Sequence, residues 1–175
     1  MKEGMFLTLF QLFYRVEYTY YSTNPIKKGK RNFVPVHDLV QNMYYFLKIF
    51  LSTFPNYSFL WNWSPYSYSL FQHLQSLDEK IKNGADIDNV NLPEKYVKDV
   101  IQVRKNLQVL SHGLDVSTVE WMEIVSCLDY IKRFELPLSK LDKVQVELLQ
   151  RKPYFHHEHV SKAWRVLEEC KEIYR

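Results

Sequence analysis

Apolar side chains recur at three- and four-residue spacing along nearly the whole chain, and prolines and glycines break that recurrence at intervals suited to helices joined by loops. A period near 3.6 gathers such residues on one face of an α-helix, whereas a half-buried strand needs strict alternation, which is hard to find here. The expectation is an all-α fold, a compact antiparallel bundle of about six to seven helices.

The spacing predicts a first helix over roughly Glu3 to Tyr20, with Phe6, Leu9, Phe10 and Phe13 on one face, although Tyr18 to Tyr21 equally suit a strand. A second helix begins near Pro35 or Val36 and runs to about Phe54, burying Leu39, Met43, Phe46, Leu47 and Phe50 before Pro55 ends it. Ser64-Pro65 reads as an N-cap followed by proline at the first helical position of a third helix, which carries Leu70, Leu74, Leu77 and Ile81 inward until Gly84. After an Asp86 to Leu92 linker, Pro93 opens a fourth helix with Val97, Val100, Ile101, Leu107 and Leu110 on its apolar face and Gly113 as its C-terminal glycine. Ser117 and Glu120 have capping-box spacing ahead of Trp121, Ile124, Val125, Leu128 and Ile131. Ser139 is placed to cap a short sixth helix ending near Arg151, and the seventh runs from about His157 with Val160, Ala163, Trp164, Leu167 and Ile173 buried.

A chain of 175 residues is long enough for one substantial core, so residues 1–175 are expected to form a single helical domain. A subdivision into an aromatic, basic half (1–84) and a C-terminal bundle (93–175) is the alternative. It rests on asymmetry: the first 63 residues hold seven Lys/Arg against three Asp/Glu, and the rest sixteen against seventeen. Two cysteines cannot build a disulfide framework and the first residues lack the layout of a secretory signal, so an intracellular setting is expected. Ile49 to Leu77 contains no Lys, Arg, Asp or Glu, but Pro55, Asn56, Asn62 and Pro65 interrupt it, so no membrane span is expected.

Catalytic patterns are sparse. Four glycines make no phosphate-cradling loop, no GxSxG elbow occurs, and Cys127 falls within the fifth helix as a small buried hydrophobe. His156, His157 and His159 flank Glu158 but include no i, i+4 pair, so neither a metal site nor a cofactor is expected. Two features suit binding. Tyr57, Phe59, Trp61, Trp63 and Tyr66 form an aromatic loop that either anchors a protein partner or packs on neighbouring helices. Lys27, Lys28, Lys30 and Arg31 form a basic patch suited to nucleic acid phosphate or nuclear import, or else simply a solvated loop.

Two resemblances sharpen these expectations. Arg151-Lys152-Pro153-Tyr154-Phe155-His156-His157 resembles the Arg, four to six residues, His signature of the HEPN family of helical nucleases. That resemblance implies metal-free RNA cleavage at a dimer interface, with Arg151 stabilising phosphorane charge and His156 or His157 moving a proton. Leu128 to Leu138, then Val146 to Lys152, then Val160 to Tyr174 resembles the small bundle shared by the elongation factor IIS N-terminal domain and the integrase-binding domain of lens epithelium-derived growth factor. It implies a non-enzymatic adaptor in transcription or chromatin, intracellular and compatible with a nuclear setting, that receives a short motif or helical segment of a protein partner.

Overall fold

The computed structural model describes residues 35–51, 57–84, 94–109, 111 and 113–173. The first predicted helix and the basic patch lie outside them, as do Leu110 and the side chains of Leu77 and Ile81. The described chain is a helical bundle: α1 (Pro35–Phe50), a hairpin of β1 (Leu60–Asn62) and β2 (Ser64–Tyr66), α2 (Tyr68–Lys82), α3 (Glu94–Gln108), α4 (Thr118–Tyr130) continued by a π-helical turn (Ile131–Glu135), α5 (Leu141–Arg151) and α6 (His157–Ile173). No helix among the described residues is long and apolar enough to cross a membrane.

Helix α4 is the centre. Every residue from Ile124 to Tyr130 is buried, together with Trp121 and Met122, because α1 and α6 pack along it and β2, α3 and α5 add to the cover. Its start follows from sequence: the Ser117 hydroxyl accepts the Glu120 amide at 3.2 Å, satisfying one of the unpaired N–H groups of a helix N-terminus. The Trp121 indole donates to the Leu107 carbonyl at 2.7 Å, so one of the last carbonyls of α3 is satisfied by the core of its neighbour.

Several expectations need correction. Ser64 and Pro65 do not begin a helix; they form β2, paired antiparallel with β1 through Trp61↔Pro65 and Asn62↔Ser64. A two-stranded ribbon tolerates Pro65 because its missing N–H need not be part of a continuous ladder. The helix start moves to Ser67, whose hydroxyl accepts from the Leu70 amide at 3.4 Å and whose backbone is gripped at both ends by the Gln41 amide, 3.0 Å each way. Ser139 does not cap α5: Lys140 stands at that position without a side-chain cap, while the Ser139 carbonyl accepts from Lys132 Nζ at 2.7 Å. Helix α1 ends at Phe50, and α3 ends at Gln108, several residues before Gly113. Gly113 nevertheless adopts φ +83°, as Gly84 does at +84° just past α2, which is the left-handed geometry that favours glycine. Ile101 and Ile173 are exposed, whereas Val103 and Cys170 are buried in their place.

Candidate functional site

The aromatic segment before α2 is divided by the hairpin. Tyr57 and Phe59 face inward: Tyr57 packs edge-on against Tyr44 with centroids 5.8 Å apart, and Phe59 against Tyr45 at 5.5 Å. Burial pushes the Tyr57 phenol up to about 12, and its hydroxyl lies 3.1 Å from His73 Nδ1. Strand alternation turns Trp61 towards Tyr130, at 5.8 Å, while Leu60 and Asn62 point to solvent. Trp63 makes the reversal at the tip with φ +67° and stays 55% exposed. Tyr66 lies against Phe71 of α2 at 5.8 Å.

Two basic residues at the end of α5 hold this hairpin. Arg151 places its guanidinium over the Trp61 ring at 4.6 Å while donating to both oxygens of Glu135, at 3.1 and 2.6 Å, and to Glu147 Oε1 at 2.7 Å. Hydrogen bonding to Glu135, reinforced by Glu147, raises its already high value further. Lys152 is 0% exposed. Its Nζ meets Glu123 Oε1 at 2.5 Å and lies 4.3 Å from the Trp63 ring centroid, 5.7 Å from Tyr154 and 5.9 Å from Phe155. The rings of Trp63 and Tyr154 are near-parallel, 18° apart with centroids at 6.4 Å, so ammonium and rings form one cluster joining hairpin, α4 and the α5–α6 connection.

Among the described residues the hydrogen bonds of Arg151 are made to carboxylates and not to a histidine. The contacts of Arg151 go to Glu135, Glu147 and Trp61, and not to His156 or His157. His156 faces His159 with ring centroids 5.1 Å apart, and His157 Nδ1 is 3.4 Å from the Ser161 hydroxyl one turn along its own helix. His159 is buried, and its Nδ1 has no hydrogen-bond partner. Nearby Glu120 is raised by burial, an effect that His159 opposes. Among the described residues no group of three or more His, Cys, Asp or Glu is arranged to hold a metal ion. Burial also raises the Cys127 thiol, which disfavours the thiolate a nucleophile requires.

Beside the hairpin lies a cavity of about 410 Å³. Its walls include Asp38 and Asn42 of α1, Trp63 and Tyr66 of the hairpin, Phe71 of α2 and Glu123 of α4. Trp63 and Tyr66 stand out in sequence as aromatics; Asp38, Asn42, Glu123 and Lys152 do not. A basic residue directly before Pro-Tyr-Phe is the one local hint to Lys152, but only the neighbours brought by α4 and the hairpin bury it.

Comparisons of the chain with protein-family models, with curated proteins and with solved structures give no match.

Proposed function

We propose that the chain is a non-enzymatic protein-interaction module that receives a partner segment on the face made by the hairpin tip and the α5–α6 connection. The observation that carries this reading is Trp63: a bulky residue held at φ +67° and 55% exposed on a braced support. Left-handed backbone costs a non-glycine residue about 1–2 kcal/mol, and such strain concentrates at functional positions. Leu60, at 71% exposed, and Tyr154 flank it and extend the apolar surface. Fixing these side chains beforehand reduces the entropy lost when a partner docks, and Trp and Tyr are the residue types that dominate interface energetics.

The resemblance of residues 128–174 to the elongation factor IIS and integrase-binding bundles makes short disordered motifs of transcription and chromatin proteins the first partner class to test. The ribonuclease alternative receives less support, because two carboxylates engage Arg151 and leave little positive field for a phosphorane.

A photo-crosslinking residue at position 60, in an extract of the cells that make the chain, tests the proposal. A discrete protein adduct is expected there, absent when the probe stands at the exposed Val146 of α5 and lost when Trp63→Ala is added. Equal adducts at both positions, or none at position 60, refute it.

A further inference from the structure

The cavity beside the hairpin is compensated in charge and aromatic in its walls. Of the two carboxylates in its described lining, Glu123 is neutralised by the buried Lys152 ammonium, and Asp38 has interactions of its own. An ion of either sign entering such a space gives up its hydration and finds no unpaired counter-charge. Trp63, Tyr66 and Phe71 supply ring surface, and rings favour a further ring in an edge-on or offset arrangement.

Asn42 adds an independent observation. It is 1% exposed, whereas Asn62 of the hairpin is solvated, so the lining runs from a buried amide to an exposed one. The Asn42 amide is satisfied at one end only: Oδ1 accepts from the Ser126 hydroxyl at 2.7 Å, and Nδ2 has no hydrogen-bond partner. The same hydroxyl lies 3.1 Å from the Glu123 carbonyl, and its single hydrogen serves one acceptor at a time. When that hydrogen turns to Glu123, the amide can rotate and donate to Ser126, which leaves Oδ1 as the unpartnered end. In either arrangement one polar atom of a buried amide lacks a partner, which is unfavourable until a ligand supplies one.

From these we infer that the cavity binds a neutral phenol, its ring among Trp63, Tyr66 and Phe71 and its hydroxyl at Asn42. A hydroxyl donates one hydrogen and accepts at its lone pairs, so it meets the Asn42 amide whichever end is unpartnered. The phenol ring takes the aromatic walls, and its neutrality avoids the cost that an ion would meet. The volume, about 410 Å³, falls in the range of roughly 300–1,000 Å³ usual for small-molecule sites. This inference does not depend on the interaction-module reading, since a free phenolic compound and a tyrosine side chain of a peptide present the same group.

The test titrates the full chain by calorimetry at neutral pH. The ligands are p-cresol and toluene, N-acetyl-tyrosinamide and N-acetyl-phenylalaninamide, and the ions benzoate and benzylammonium. Saturable binding of at least one phenol is expected, about threefold or more tighter than its counterpart without the hydroxyl, with none for either ion. Asn42→Leu, which is close in volume, should abolish the preference for the hydroxyl, a ratio measured within one variant. Phe71→Leu leaves the amide in place and should weaken the phenol about threefold while keeping the preference, so it carries the test if Asn42→Leu does not fold. Tighter binding of p-cresol assigns a free phenol, and tighter binding of N-acetyl-tyrosinamide assigns a peptide side chain; both orders support the phenol. No saturable phenol, a counterpart or an ion that binds as well, an Asn42→Leu variant that keeps the preference, or a Phe71→Leu variant that binds like the parent overturns the inference. None of these outcomes changes with the crosslinking result at position 60.

Discussion

Removing the carboxylate of Glu123 should destabilise the chain far more than removing its partner's charge. Lys152 is completely buried and Glu123 is 17% exposed, so the two ends of their 2.5 Å ion pair stand in different solvents. At an effective dielectric constant of about 20, two unit charges this close attract by roughly 7 kcal/mol, most of which offsets their desolvation. Glu123→Gln leaves a buried ammonium with a neutral amide oxygen and ring faces but no counter-charge, and should cost about 3–5 kcal/mol, the range found when one partner of a buried pair is removed. Lys152→Met removes the charge, keeps the length and leaves Glu123 beside a cavity in which water can solvate it, so its cost should be about 1–2 kcal/mol. The double variant should recover to near the Lys152→Met value, because no unpaired buried cation remains. Urea denaturation with an unchanged slope measures all three. If Glu123→Gln is no worse than Lys152→Met, or the double variant is as unstable as Glu123→Gln, then the cluster is not held by this pair.

Three further outcomes follow from the geometry. Trp63→Gly relieves the left-handed backbone and loses the ring contacts, so its stability should stay within about 1 kcal/mol of the parent, whereas Trp63→Val should fall about 1–2 kcal/mol below Trp63→Gly in the same urea assay. Because burial raises the Glu120 carboxyl from its ordinary 4.5, the folded chain holds that proton more tightly than the unfolded one. Its stabilising contribution is therefore complete below 4.5 and lost as pH rises through the folded value, so Glu120→Gln should raise the thermal midpoint at neutral pH, with the gain vanishing in acid. Single-stranded RNA incubated with the parent in the absence of metal should remain intact; cleavage that disappears in both Arg151→Ala and His157→Ala would reinstate the nuclease reading.

Much of the fold was legible locally. The buried faces of α1, α4 and α6 follow from three- and four-residue spacing, and Ser117 caps α4 through the short-range contact its spacing announces. The hairpin was not legible. Ser64-Pro65 satisfies the local rule for a helix start, but Gln41, 26 residues before Ser67, supplies the amide partner that moves the start to Ser67 and leaves the preceding residues to pair as strands. The candidate site divides in the same way. Trp61, Trp63 and Tyr66 announce themselves as aromatics, yet which of them packs and which stays exposed depends on strand alternation and on Tyr130 and Tyr154 from distant segments.

Sequence by itself determined that the described chain is a bundle of amphipathic helices, because apolar period and end caps act within one or two turns. Tertiary structure alone decided the fate of Arg151 and Lys152, adjacent and alike in sequence. One lies over Trp61 between two carboxylates, and the other is sealed beneath Trp63 against a carboxylate 29 residues away. A charge becomes a surface feature or a brace according to the partners that surround it, and those partners come from segments that no local pattern connects.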